Sequence, residues 1–143
     1  MVAAVNMFVD AFIVQLRELS VGCHIGTEFV GCLLYADDII LLSPSIVGLQ
    51  SMLDKCSDIA SVLSLQFYTS KSHCIVFGKT SKCTLPLMVL GGMTICWCSS
   101  VKYLAVHLLS GRFLKFDIMP VKRAFYAACN SIFTRDSCTG RYC

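Results

Sequence analysis

Asp37 and Asp38 stand side by side between two short apolar runs, and nothing else in the chain is so specifically placed to do chemistry. The runs, residues 30–35 and 39–43, each have about the length of one strand and no helical period, so the polar step between them reads as a hairpin turn. A tight turn there lifts both carboxylates out of a buried sheet and holds them on a rigid base. Like charges a few ångströms apart raise each other's pKa. A divalent cation removes that cost, and Mg²⁺ takes hard oxygen donors. The pair therefore points to a metal site at a hairpin tip, against the simpler alternative of a solvated Asp-Asp turn. Context favours the metal: Tyr-Ala-Asp-Asp is met by chance in roughly one chain in a thousand of this size, and more rarely with apolar flanks.

The elements that must position this tip follow from periodicity. Residues 3–19 read as an amphipathic helix, with Val5, Phe8, Phe12, Leu16 and Leu19 on one face, ended by Ser20-Val21-Gly22. Asp10 lies within that helix, which gives it a surface or structural role rather than a catalytic one. Residues 23–25 and 28–35 read as strands paired across Gly26-Thr27 and lead into the Asp-Asp hairpin. Ser43-Pro44-Ser45 breaks the strand, Ser45 caps a helix over 46–64, and Ile46, Leu49, Leu53, Cys56, Ala60 and Leu63 form its buried stripe. A short strand over 65–68, a turn at 69–72 and a strand over 73–77 come next, with His73 in a structural role. Beyond a basic loop at 78–84, residues 85–90 and 93–98 read as a hairpin about Gly91-Gly92, and 101–108 as one further strand. Asp117 caps a last helix that has Pro120 in its first turn and Val121, Phe125, Ala128 and Ile132 on its apolar face. No structure is expected after Phe133.

At 143 residues the chain has the length of one domain, and 56% hydrophobic residues is high for a free-standing one. Mean hydropathy is +0.71, yet no stretch runs 18 residues without polar interruption, so neither a membrane partner nor a signal peptide is expected. The apolar excess suggests part of a larger core. Charge is divided: residues 1–70 carry two basic and seven acidic residues (−5), and 71–143 carry ten basic and two acidic (+8). That asymmetry suggests a polyanion partner for the second half, where Lys71, Lys79, Lys82, Lys102, Arg112, Lys115, Lys122 and Arg123 follow the acidic hairpin. The ten cysteines lie largely inside apolar runs, as Cys32, Cys74 and Cys96 do, and no Cys-x-x-Cys pair seeds a zinc site. They indicate a reducing, intracellular setting, nucleus or cytoplasm, rather than a disulfide scaffold. Cys129, Cys138 and Cys143, with no His nearby, make only a weak zinc set.

Tyr35-Ala36-Asp37-Asp38, the Ser43-Pro44-Ser45 and Gly48-Leu49-Gln50 run, Leu65-Gln66-Phe67 with Lys71-Ser72, and Val101-Lys102-Tyr103-Leu104 occur in an order that resembles the second half of a reverse transcriptase domain. The branch it is similar to is that of non-LTR, LINE-type retrotransposons, and the match covers roughly residues 5–133. In family terms the first, third and fourth of these resemble motifs C, D and E, the second resembles the usual entry to the helix after motif C, and Asn6-Met7-Phe8-Val9-Asp10 resembles the helix after motif B.

The resemblance implies an α+β fold: an antiparallel palm-type sheet with helices packed on one face, a catalytic β-hairpin, and the start of a helical thumb. Residues 1–109 would be the partial palm and 110–143 the thumb or tail. It implies an RNA-directed DNA polymerase acting on an RNA template, a DNA primer and dNTPs by two-metal nucleotidyl transfer. Asp37 and Asp38 would hold Mg²⁺, and Lys71 would neutralise or protonate the departing pyrophosphate, or else be a solvated turn lysine. Tyr35, Lys102, Tyr103, Lys122 and Arg123 would contact nucleic acid, with ordinary sheet packing the alternative for Tyr35. The family's further Asp from motif A, the Gln-Gly of motif B and the fingers have no counterpart here, and Ala105 stands where Gly is common. The chain is therefore expected to be a fragment needing the N-terminal part of the same domain. The alternative is a non-catalytic remnant that binds nucleic acid through its basic half or is inert.

Overall fold

Apolar residues at helical spacing set the first element. Helix α1 (Val2–Glu18) turns Phe12 and Leu16 into the interior, with Leu19 packed beside them. The computed structural model describes residues 2–79 and 84–138, with side chains at 10–79 and 84–132. Lys82 and Cys143, and the side chain of Cys138, lie outside this range, as do the side chains of Asn6 to Val9. The described residues form three α-helices and several small antiparallel sheets, a mixed α and β chain. Two compact units result: Met1–Ser72 with Pro86–Cys96, and His73–Leu85 with Trp97–Cys143.

In the first unit, β1 (His24–Ile25) and β2 (Glu28–Phe29) pair antiparallel across Gly26-Thr27, as expected, but the single strand expected over 28–35 is broken at 30–31 and its second part belongs to another sheet. Strands β3 (Cys32–Tyr35) and β4 (Asp38–Leu41) then form the hairpin, in the register Cys32↔Leu41, Leu33↔Ile40, Leu34↔Ile39 and Tyr35↔Asp38. Backbone bonds from Cys23 N to the Leu42 carbonyl (2.9 Å) and from Leu42 N to the Gly31 carbonyl (2.7 Å) tie its base to the preceding segment. A two-stranded hairpin is marginal by itself in water. Here the helices supply the missing burial. Phe12 and Leu16 of α1 and Met52, Cys56 and Ile59 of α2 (Ile46–Val62) form one cluster with Cys32, against which Leu34, Ile39 and Leu41 pack. Each large side chain so buried contributes roughly 1.5–3 kcal/mol.

Of the expected stripe, helix α2 buries Leu53, Cys56 and Ala60 and leaves Ile46, Leu49 and Leu63 partly buried, while Met52 and Ile59 are also covered. The reason is that α2 is covered on two sides, by α1 on one and by β6 (Met88–Leu90) on the other. The Gln50 side chain binds β6 as a neighbouring strand would: its Nε2 donates to the Val89 carbonyl (2.8 Å), and Val89 N donates to its Oε1 (3.0 Å). Strand β7 (Met93–Trp97) pairs with β6 across Gly91-Gly92, both left-handed, and Gly91 N donates to Ser57 Oγ (3.0 Å). The strand expected over 65–68 is absent: α2 closes with Leu65 N bonded to the Ala60 carbonyl (2.8 Å) and Ser64 left-handed, which turns the chain away from a sheet. Phe67 packs edge-on to Phe12 instead, with ring centroids 6.2 Å apart. A 3₁₀ turn, η1 (Thr69–Lys71), follows as the turn expected there.

In the second unit, β5 is only His73–Cys74, shorter than expected. The single strand expected over 101–108 is two: β8 (Ser100–Tyr103) and β9 (Val106–Leu109), joined by Leu104 and Ala105, both left-handed (φ 45° and 67°). With no Gly, Asn or Asp at that turn, alternation runs through it and hides it. Strand β10 (Lys115–Asp117) pairs with β9 and completes an antiparallel meander. Asp117 Oδ1 accepts from Met119 N (3.0 Å) at the start of α3 (Met119–Cys138), the expected cap, and the helix runs past Phe133 where none was expected. Val121, Phe125 and Ile132 on its expected apolar face are exposed.

The start of α2 yields a stability prediction. Ser45 Oγ accepts from Gly48 N (3.0 Å), while Ser43 Oγ donates to the Val21 carbonyl (3.1 Å). A Cβ on Gly48 would lie 2.7 Å from Ser43 Oγ, 2.9 Å from Ser45 Oγ and 3.1 Å from the Val21 carbonyl. Helix propensity alone makes Gly48→Ala stabilising by about 1 kcal/mol. Crowding of this kind costs about 1–3 kcal/mol, so urea unfolding is expected to show a net loss. A gain equal to the propensity difference contradicts this reading of the cap.

Candidate active site

The register of β3 and β4 decides what the hairpin can do. Directly opposed residues share a face and successive residues alternate. Cys32, Leu34, Ile39 and Leu41 therefore form the inner face on the helices, and Leu33, Tyr35, Asp38 and Ile40 form the outer face. Asp38 is directly opposite Tyr35, which is 60% exposed. Asp37 sits in the two-residue turn beside Ala36, and both carboxylates face solvent. The tip is what the apolar pattern predicts: an acidic, open end on a base whose other face is buried.

Ala36 is left-handed, with φ 52°. For a residue with a Cβ this costs roughly 1–2 kcal/mol. The left-handed residue sits between the tyrosine and the two carboxylates.

The chain matches no family model, no curated protein and no solved structure.

What the tip can hold follows from its donors. Two ionised carboxylates supply acceptor-only hard oxygens, the right chemistry for Mg²⁺. Among the described residues no three His, Cys, Asp or Glu side chains gather into a metal-binding group. The donors thus suit a cation in kind and fall short in number for a two-ion centre. Asp10 lies exposed on α1.

The other candidate residues are placed as follows. Lys71 is exposed at the end of η1, its Nζ 5.5 Å from the centroid of the Tyr68 ring, a cation–π contact within the first unit. Lys102 and Tyr103 are successive residues of β8 and fall on opposite faces of the meander. Tyr103 shares its face with Val106, Leu108 and Phe116, which line an apolar hollow of about 560 Å³, whereas Lys102 shares its face with His107, Lys115 and Asp117. Lys122 and Arg123 are exposed in the first turns of α3. Sequence reading passed over His107. The signal that finds it is the β8–β9 turn, because only when 104–105 is read as a turn does His107 become the cross-strand partner of Lys102.

Beneath the hairpin, Cys32 and Cys56 are free, buried thiols, in keeping with their reading as small hydrophobes. Burial pushes Cys32 up to about 11, and burial together with the neighbouring Cys32 pushes Cys56 up to about 12, from an ordinary 9.0. Cys129, of the weak zinc set, is a partly buried free thiol.

Two outcomes follow. Ala36→Gly, which removes the left-handed penalty, is expected to raise unfolding stability by about 1 kcal/mol; an unchanged or lowered stability contradicts the strained turn. Because the two buried thiols have raised pKa values, the unfolded chain loses their protons first as pH rises. Stability is then full below 9.0 and falls as pH climbs toward 11–12, a loss that Cys56→Ala reduces. A flat denaturation midpoint across that range contradicts it.

Proposed function

We propose that this chain is the catalytic-hairpin part of the palm, with the beginning of the thumb, of an RNA-directed DNA polymerase of the non-LTR, LINE type. The observation that carries the reading is the hairpin's two-faced register, which anchors Tyr35-Ala36-Asp37-Asp38 on a helix-backed core and leaves Tyr35 and both carboxylates open to solvent. In the intact polymerase Asp37 and Asp38 would hold Mg²⁺, whose chemistry there would be activation of the primer 3′-hydroxyl and charge neutralisation at the leaving pyrophosphate. RNA template, DNA primer and dNTP are the corresponding partners.

The chain's own residues have narrower roles. Asp37 and Asp38 present oxygens at the tip, and Tyr35 offers an aromatic face beside Asp38 on which a nucleotide can pack. Lys71 offers a positive charge for pyrophosphate, and Lys102, Lys122 and Arg123 offer phosphate contacts that position a strand without reading its sequence. A third carboxylate from another strand is what the hairpin needs to assemble two ions. Its absence among the described residues near the tip favours the second reading for this chain taken alone: nucleic-acid binding without catalysis.

Both readings are tested together. With a primer–template, dNTPs and Mg²⁺ or Mn²⁺, the 143-residue chain is expected to give no extension; template-dependent extension abolished by Asp37→Asn would overturn the non-catalytic reading. Binding to single-stranded nucleic acid is expected to weaken steeply between about 50 and 200 mM salt, with Lys102→Ala and Lys122→Ala each lowering the salt slope by roughly one unit. Salt-insensitive binding, or tighter binding by an isolated peptide of residues 1–70 than by the full chain, contradicts the polymerase-derived reading of the basic half.

A further inference from the structure

The β8–β9–β10 meander sorts its residues cleanly. One face carries Val101, Tyr103, Val106, Leu108 and Phe116, all apolar or aromatic. The other carries Ser100, Lys102, His107, Leu109, Lys115 and Asp117. Across that second face Lys102, His107 and Asp117 occupy directly opposed positions on three adjacent strands, so they form one row. Cross-strand neighbours of this kind have Cβ atoms about 4.5–5.5 Å apart, close enough for two of them to share one phosphate.

Resting on the nucleic-acid reading above, we infer that this polar face is where the chain holds a phosphodiester backbone, with His107 as a phosphate-binding residue beside Lys102. The row has a direction. Lys102 is exposed at one end, and Asp117 at the other is partly buried, with Oδ1 already accepting from Met119 N at the start of α3. A phosphate is repelled by the Asp117 end and drawn to the β8 side of His107. Diagonal to His107 stand Ser100, a hydroxyl donor, and Lys115, a second cation, both exposed. The apolar face offers a phosphate no cation and only one side-chain donor, the Tyr103 hydroxyl.

His107 brings a property that lysines lack. An imidazole takes up its proton near neutral pH, and only the charged ring donates from both nitrogens. A phosphate seated between Lys102 and His107 favours the charged ring. Binding therefore takes up a proton, and affinity rises as pH falls.

The test uses the full chain and a fluorescently labelled oligothymidylate, whose phosphodiesters do not titrate near neutral pH, at fixed low salt. Fluorescence anisotropy is expected to show binding about three- to tenfold tighter near pH 5.5 than near pH 8. The chain also carries His24 and His73, so the variants decide the assignment. His107→Gln is expected to remove most of the pH dependence and bind at the wild-type high-pH level. His107→Arg is expected to bind as tightly at pH 8 as the wild type does at pH 5.5. Phe116→Ala, on the apolar face, is expected to matter less than Lys102→Ala. A wild-type pH profile in His107→Gln, or a greater loss from Phe116→Ala than from Lys102→Ala, overturns this inference and leaves the nucleic-acid reading standing. Absence of salt-dependent binding by the wild-type chain at any pH overturns both.

Discussion

The hairpin can present two adjacent carboxylates because its opposite face is buried. Two strands of four residues cannot hold a shape by their own pairing, and an acidic tip adds like-charge repulsion. Cys32, Leu34, Ile39 and Leu41 offset both by packing against Phe12, Leu16, Met52, Cys56 and Ile59. Because side chains alternate with period two, a slip of one residue would bring Leu33, Tyr35, Asp38 and Ile40 inward. Burial of the apolar face and exposure of Tyr35 and Asp38 are thus one constraint.

The same constraint reaches into the neighbouring elements. Helix α2 must start close behind the hairpin, so its cap is crowded: Ser43, Ser45 and the Val21 carbonyl converge on Gly48, where no Cβ fits without a shift. Cys32 and Cys56 lie in the dry layer between strands and helices, where burial holds the thiols neutral well above their ordinary range. They fill space as small hydrophobes.

How far the residues foretell these features depends on which physical signal each element carries. The hairpin, both flanking helices and the Gly91-Gly92 turn were legible because apolar periodicity and turn chemistry agree there. The β8–β9 turn was not, because Leu104 and Ala105 adopt left-handed backbone without any residue that announces it. Ser64 does the same at the end of α2, and the strand expected after it does not form. The extra burial of Met52 and Ile59 was hidden for another reason: a helix covered on two sides needs more than the single stripe that periodicity reveals. At the candidate site, Asp37 and Asp38 could be read from local sequence. That Lys102 and Tyr103 face opposite ways follows from strand alternation, but His107 and Asp117 become neighbours of Lys102 only through long-range pairing.

On the proposed reading, the hairpin tip is a cation site set by the β3–β4 register. This is tested most directly by titrating Mn²⁺ into the isotope-labelled full chain and following paramagnetic broadening of backbone amide signals. The account predicts saturable broadening that begins at Tyr35 to Ile39 and is lost in both Asp37→Asn and Asp38→Asn. Broadening that appears equally around Glu28, Asp54 and Asp58, or that survives both substitutions, would contradict it and leave the pair as a solvated turn.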